Sequence, residues 1–400
     1  MRKIIIIELL CCLIAIFSLN AQQTSSYLSQ FPIVAWHGVQ EDEISVECFQ
    51  ELKDAGFTIN FSIYSNLKKV DEALDAAYKA GIGMIVGCPE LESNPEETVQ
   101  HLKKHPATVG YFLRDEPSVS EFTELGKWAE RIQSVDSERF CYLNLFPTGD
   151  SSLMKRIGAQ NYREYISLFA EKVPLPFLSF DHYPVLENYE LKPQWYENLE
   201  EFSDEAKKVN KNFWAFALST KHGIYPFPTL ASLRLQVYSD LAYGAQGLQY
   251  FTYFTPANDA VYDYQLGPIG LDGKRTDVYD LVKDMNLELK LISNIFWGAK
   301  VLSVRHTGEK IPIGTKRLTT LPSEVKVLDT HGSGAIVSIL ENRGKRYLLI
   351  VNRSLKDIMQ CTFFADSSVK RVLKDGSLVN ADKYTPTLNV QPGDILIYLL

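Results

Sequence analysis

Eight short apolar segments recur along this chain at near-regular intervals, and no other feature limits its fold so strongly. They are Pro32–Gly38, Phe57–Tyr64, Gly83–Pro89, Thr108–Leu113, Phe140–Phe146, Phe177–Tyr183, Phe213–Ser219 and Leu248–Phe254, and their starts lie 25, 26, 25, 32, 37, 36 and 35 residues apart. Each interval has room for one strand, one helix and two connections. The stretches between them carry apolar residues at helical spacing, as in Val70-Ala73-Leu74-Ala77 and Leu233-Val237-Leu241. Eight such units within Phe31–Trp297 predict an α/β fold, a closed (β/α)8 or TIM barrel. An open doubly wound sheet rarely uses eight units this regular. Gly81-Ile82-Gly83 with Gly87 only mimics a dinucleotide fingerprint, because it opens the third strand rather than a helix.

After Trp297 the pattern changes to strands and turns alone. Val301–Arg305, Glu324–Leu328, Ala335–Glu341, Tyr347–Asn352, Gln360–Phe364, Lys370–Leu373 and Asp394–Leu399 are separated by turn signals such as Asn342-Arg343-Gly344 and Lys374-Asp375-Gly376. They predict a small all-β sandwich domain over 298–400, packed against the barrel or closing one side of its cleft. At the other end, Arg2 and Lys3 precede an apolar run from Ile4 to Leu19, broken by Glu8 and followed by Asn20-Ala21. This describes a cleaved secretory signal over 1–21 and leaves the barrel domain at 22–297. The run is short for a membrane span. The expectation is an exported protein, periplasmic or extracellular, with no stable membrane insertion after cleavage. Cys48, Cys88, Cys141 and Cys361 form no C-x-x-C pair and are expected to be buried free thiols.

Composition narrows the partners. A hydrophobic share of 46% with 22% charged residues supports a sizeable core and excludes wholesale disorder. A net charge of −8, with no Lys/Arg run longer than two, argues against nucleic acid or an anionic membrane surface. The 21 Tyr, 21 Phe and 5 Trp suit a pocket for flat, partly apolar ligands such as sugar rings. Nothing in the sequence sets an oligomeric state.

Barrel enzymes build their sites at the C-terminal ends of the strands. Those ends offer Trp36 and His37, Asn60 and Tyr64, Glu90, Arg114-Asp115-Glu116, Asn144, Asp181-His182-Tyr183, Ser219 with His222, and Tyr253 with Asn258 and Asp259. Arg114-Asp115-Glu116-Pro117 is the sharpest cluster. Glu116 at a barrel mouth suits a general acid that protonates a glycosidic oxygen; Asp115 reads equally as a ligand or a helix N-cap. In Phe180-Asp181-His182-Tyr183-Pro184, period-two alternation sends Asp181 and Tyr183 to one side and His182 to the other. Asp181 is then the second carboxylate or a ligand for sugar hydroxyls, the other reading being a core Asp–His pair that fixes the loop. Trp36, His37, Asn60, Tyr64, Glu90, Arg114, Asp115, Asn144, His182, Tyr183 and Tyr253 are the expected substrate contacts, and Tyr189, Trp195 and Tyr196 are expected to stack on sugar. His101 and His105 have metal-ligand spacing, but their helix ends at the far face of the barrel, so neither a metal nor another cofactor is expected. No G-x-S-x-G elbow is present.

These residues resemble glycoside hydrolase clan A, most closely the β-galactosidase-like barrels of family 42 type. Gly110-Tyr-Phe-Leu-Arg-Asp-Glu116-Pro is similar to the fourth-strand segment in which an Asn-Glu pair ends with the acid/base. Arg234-x-Gln236 with Leu241-Ala-Tyr-Gly-Ala-Gln-Gly-Leu-Gln-Tyr-Phe251 resembles the run entering the eighth strand. Leu266-Gly-Pro-Ile-Gly-Leu-Asp-Gly273 resembles the post-barrel turn, and Gly393-Asp394 with the closing strand resembles the family's small C-terminal β-domain. The resemblance implies acid/base catalysis by Glu116 on oligo- or polysaccharides. Two departures accompany it. Asp115 stands where the clan usually has Asn, and no acidic residue occurs between Glu205 and Asp240, although the clan's nucleophile is a Glu ending the seventh strand. Asp181 is the expected replacement, with Glu90 or Asp259 behind it. The competing expectation is a catalytically inactive carbohydrate-binding barrel.

Overall fold

The computed structural model describes residue 27 and residues 29–381 and 387–400; the predicted signal at 1–21 lies outside the described residues. All eight predicted barrel segments are strands: β1 (Ile33–Trp36), β2 (Ile59–Ile63), β3 (Gly83–Gly87), β4 (Thr108–Asp115), β5 (Phe140–Asn144), β6 (Phe177–Phe180), β7 (Asn212–Leu218) and β8 (Gly247–Phe251). They form one parallel sheet in the order β5-β4-β3-β2-β1-β8-β7-β6. The ring closes between β5 and β6, where the Leu145 amide donates to the Ser179 carbonyl at 2.8 Å.

Alternation along each strand sorts side chains between two cores. Val34, Trp36, Ile59, Phe61, Tyr142, Phe177, Trp214 and Phe216 point inward and fill the barrel. Phe177 and Trp214 stack at 4.1 Å, and Trp36 lies 4.4 Å from Phe61 and 5.1 Å from Phe216. The intervening residues, such as Ile33, Ala35, Met84, Cys141 and Leu178, point out and pack beneath the helices. The helices have ordinary ends: in Leu67–Ala80, Asn66 caps the start by accepting from the Lys69 amide, and Gly81 stops it at φ +78°.

Beyond the barrel the described residues form nine strands, two more than the sequence reading expects: β9 (Lys300–His306), β10 (Val325–Asp329), β11 (Ala335–Asn342), β12 (Lys345–Asn352), β13 (Met359–Ala365), β14 (Lys370–Val372), β15 (Leu378–Asn380), β16 (Thr387–Val390) and β17 (Ile395–Leu399). They form a six-stranded sheet, β15-β14-β17-β12-β11-β9, and a three-stranded sheet, β10-β13-β16. Val337, Leu348, Ile350, Leu396 and Tyr398 face the smaller sheet. Their neighbours Ile336, Leu349, Val351, Ile395 and Ile397 join the barrel's outer core. The central strands of the larger sheet, β11, β12 and β17, are therefore buried on both faces. An ion network pins the two parts together: Lys374 Nζ donates to Glu288 at 2.6 Å and Asp394 at 2.5 Å, while Arg234 holds Glu288 at 2.7 Å. Cys88, Cys141 and Cys361 are buried free thiols; Cys48 is half-buried. Among the described residues no helix is long and apolar enough to cross a membrane.

Candidate active site

The acidic cluster at the C-terminal mouth owes its shape to a bulge in β4. Phe112 pairs with Tyr142, Arg114 with Leu143 and Asp115 with Asn144, so Leu113 is the extra residue. Tyr142 and Asn144 face the axis and Leu143 faces out, so the bulge turns Arg114 outward and brings Asp115 beside Asn144. Arg114 accordingly meets Glu92 at 3.6 Å and Glu121 at 3.8 Å on the outer rim, a correction to its expected role as a substrate contact. Glu116 follows in the left-handed region, φ +46°, with its amide donating to the Asn144 carbonyl at 2.9 Å.

Asn144 organises the centre. Its Nδ2 donates to Asp115 Oδ1 at 3.2 Å and to Asp181 Oδ1 at 2.7 Å, so those two oxygens lie no farther apart than the two distances laid end to end. Its Oδ1 accepts from Ser179 Oγ at 2.8 Å. Ser179 Oγ in turn accepts from Gln249 Nε2 at 2.8 Å, and Gln249 Oε1 accepts from Tyr142 at 2.5 Å. This buried chain joins β5, β6 and β8 beneath the carboxyl groups and fixes the orientation of the Asn144 amide. Sequence reasoning missed Ser179, Gln249 and Tyr142. Polar residues at inward positions of apolar strands were the available signal.

The three carboxyl groups have unlike surroundings. Burial raises the Glu116 carboxyl far above the usual range, the charges of Asp181 and Asp115 raise it further, and Arg156 opposes them. No hydrogen bond reaches that carboxyl among the described residues. Asp181 is also raised by burial and by Asp115, but the Asn144 donor and the Lys192 ammonium favour its charged form. Asp115 opens to solvent in the mouth; protein walls around it still lift its carboxyl, against the Asn144 hydrogen bond. Among the described residues Glu116 has no donor to its carboxyl and is pressed toward the neutral form by its acidic neighbours, whereas Asp115 and Asp181 share the Asn144 donor, which favours their charged forms. Lys192, also missed from sequence, donates to the Tyr225 hydroxyl at 2.6 Å.

Alternation places Asp181 and Tyr183 in the mouth, as expected, and sends His182 into the helix layer, where it is buried and its imidazole is pushed down to about 3 by burial. His182 is thus corrected from substrate contact to packing residue. Tyr183 stacks on Phe251 at 5.8 Å. Eight further expectations are corrected. Trp36 is 8% exposed within the barrel stack. Asn60 faces out because Phe61 faces in, and its Oδ1 accepts from the Val39 amide at 2.8 Å. Tyr64 is buried and donates to the Val39 carbonyl at 2.9 Å. Glu90 accepts from the Leu67 amide at 3.0 Å, holding the first turn of the Leu67–Ala80 helix. Tyr253 is buried against Phe57 in the outer core. Asp259 is occupied by the amides of Val261 and Tyr262, both at 2.7 Å. Trp195 and Tyr196 are buried, whereas Tyr189 is exposed beside Lys356. His37 ends β1 at φ +49°, its imidazole pushed down to about 4 by burial. His101 and His105 pair with Asp71 and Asp75 on a neighbouring helix.

β7 ends without an acid. Ser219 Oγ donates to the Thr252 carbonyl at 2.7 Å and Thr220 Oγ1 to the Gln265 carbonyl at 3.1 Å.

With this geometry in view, the β-galactosidase from Bacillus circulans sp. alkalophilus superimposes over 92% of this chain and 99% of its own, with a TM-score of 0.60 at 8% sequence identity. The two chains share a fold. The β-galactosidase of the psychrophilic Marinomonas ef1 matches with a TM-score of 0.49 at 11% identity, over 66% of this chain and 60% of that one. The β-D-glucuronidase from Dictyoglomus thermophilum matches with a TM-score of 0.45 at 13% identity, over 64% and 50%. The chain therefore spans less than two thirds of the length of those last two proteins. No protein-family model matches the chain, and no curated protein matches it by sequence. The likeness to the Bacillus protein is one of fold, and the chemistry has to be argued from the site.

Proposed function

We propose that this chain is an exported glycoside hydrolase related to the family 42 type, cleaving O-glycosidic bonds of oligo- or polysaccharides. The single observation that carries this reading is the split among the mouth carboxyl groups: Glu116 half-buried with no donor to its carboxyl, Asp181 held by Asn144 at 2.7 Å and favoured as the anion by Lys192. Glu116 donates its proton to the glycosidic oxygen as the bond to the leaving sugar breaks. Asp181 supplies the second carboxylate that both retaining and inverting hydrolysis require. Asn144 keeps it oriented, and Asp115 holds the local charge that keeps Glu116 protonated. Tyr183 and Phe251 provide the apolar platform on which a sugar ring rests. Export rests on the sequence of residues 1–21 alone.

One observation favours a second reading, a barrel that binds sugar without cleaving it: the seventh strand closes on Ser219 and Thr220 instead of a carboxylate. Reducing-sugar release from a panel of plant, host and microbial glycans separates the two. Hydrolysis that collapses in Glu116→Gln and in Asp181→Asn supports the enzyme. Retention of glycans by the wild type with no release from any of them supports the binder. Equal release from wild type and Glu116→Gln rejects Glu116 as the acid.

A further inference from the structure

A cavity of about 310 Å³ opens on the face of the barrel opposite the mouth, where the helix Trp195–Lys208 turns into β7 beside the start of β9. Its charged lining is Lys207, Lys211 and Lys300, and no carboxyl side chain lines it. In a chain of net charge −8 such a gathering runs against the average. The fold assembles it from three places: the last turn of the helix, the connection that follows, and the first strand after the barrel.

Among the described residues none of the three ammonium groups has an ion pair. The acids nearby are engaged elsewhere: Glu205 by Lys208 at 2.7 Å and Arg163 at 3.0 Å, Asp204 by Arg163 at 3.4 Å, and Glu200 by Lys316 at 3.0 Å. Glu341, the cross-strand neighbour of Lys300 in β11, is exposed and makes no ion pair with it. Lysines at a helix end ordinarily answer the open carbonyl groups there. Here the amides of Val209, Asn210 and Lys211 already donate to the carbonyls of Glu205, Lys207 and Ala206, at 3.1, 3.1 and 2.9 Å, and Lys211 and Lys300 lie beyond the helix. Lys211 is half-buried, and burial alone presses it toward the neutral form. Asn210 and Asn212, which also line the cavity, are exposed and spend no side-chain amide on the described residues.

We propose that this cavity binds a sugar carrying a sulfate or phosphate ester, whose charged group is held by Lys207, Lys211 and Lys300. Three ammonium groups supplied from three elements match the three terminal oxygens of such an ester, which lysine meets as a point charge. The amides of Asn210 and Asn212 add donors and acceptors suited to sugar hydroxyls. The aromatic residues of the lining offer no open face, Phe213 being 4% and Tyr243 1% exposed, so the site reads charge rather than a ring. Its volume is at the small end for ligand cavities and suits one sugar unit. The cavity lies at the N-terminal end of β7, whereas Glu116 follows the C-terminal end of β4. An occupant therefore leaves the mouth free, and the site stands whether or not the mouth cleaves sugars.

The test is isothermal titration calorimetry of the whole protein at low salt with glucose 6-sulfate, glucose 6-phosphate, glucuronate, glucose, inorganic sulfate and inorganic phosphate. At least one of the two esters binds about tenfold or more tightly than glucose, glucuronate or either inorganic ion, and the tighter ester separates a sulfated from a phosphorylated ligand. Added salt weakens that binding. Lys211→Gln and Lys300→Gln each weaken it about tenfold, and the exposed position of Lys300 keeps the second variant clear of the core. Lys208→Gln, whose side chain is held by Glu205 outside the cavity, leaves it unchanged. Binding of neither ester, equal or tighter binding of glucuronate or the inorganic ions, or binding that both lysine variants leave intact overturns the proposal. Hydrolysis at the mouth is read separately, by sugar release, and none of these outcomes bears on it.

Discussion

The two sides of the barrel mouth differ in how they hold polar groups. On the β4–β6 side two carboxyl groups share one amide, with Glu116 following the first of them in the chain, and that amide is braced by Ser179, Gln249 and Tyr142. On the β7 side the strand ends in hydroxyls already spent on backbone carbonyls, Ser219 on Thr252 and Thr220 on Gln265, with aromatic rings above them. The first side holds carboxyl groups pushed toward their neutral forms; the second has spent its strand-end hydroxyls on backbone carbonyls. The mouth carboxyl groups come from the ends of β4 and β6, and β7 contributes none.

That contrast can be broken or sharpened by substitution. The largest expected effect is on Glu116: Glu116→Gln lowers turnover by about 100- to 10,000-fold, the usual range for a general acid, measured as reducing-sugar release. Next comes an attempt to restore the missing acid. Ser219 is fully buried, so Ser219→Glu buries a carboxyl without partners and costs about 2–4 kcal/mol, read as a lower midpoint in urea, with no gain in turnover. A gain would show that the β7 side still accepts a catalytic carboxylate and would erase the contrast. Asn144→Ala follows. It frees both aspartates from their shared donor, leaves Glu116 in place, and lowers kcat about 10- to 100-fold with little change in KM.

The smallest effect is thermodynamic and distinguishes the two sides by pH. The raised Glu116 carboxyl means that the folded chain holds a proton the unfolded chain releases, so stability falls as pH rises from the ordinary carboxylate range through the raised one. Glu116→Gln removes this loss. Its Tm equals that of the wild type near pH 4 and exceeds it by about 2–4 °C near pH 8, by calorimetry. Ser219→Ala shows no such pH-dependent difference, since no titrating group is involved.

Much of the fold was legible because the apolar segments and their spacing reflect burial, which acts on every strand alike. Asp181, Tyr183 and His182 were sorted correctly by alternation alone. Arg114 was misplaced because a bulge at Leu113 shifts the phase of β4, and a single extra residue leaves no mark in the apolar pattern. Asn60 and Tyr64 were misread as ligands although alternation from Phe61 turns Asn60 outward, where it ties down the Val39 loop. Glu90 looked free until the Leu67 helix start came into contact with it. Lys192 and Tyr225 went unread because they reach the mouth on long loops, whose paths depend on pairings such as Val185 with Leu191 and His222 with Tyr225. The two extra strands of the sandwich, β15 and β16, follow turn-rich polar sequence whose pairing is set by the neighbouring edges.

The central claim is the proton order at the mouth, and it is measured most directly by a carboxyl-carbon NMR titration of Glu116, Asp181 and Asp115 in the folded protein. The account predicts that the coupled group titrates with the last proton on Glu116, well above the ordinary carboxylate range, and that Asp181→Asn or Asp115→Asn lowers that final step. Glu116 losing its proton before Asp181, at an ordinary carboxylate pH, would contradict the assignment of acid and partner.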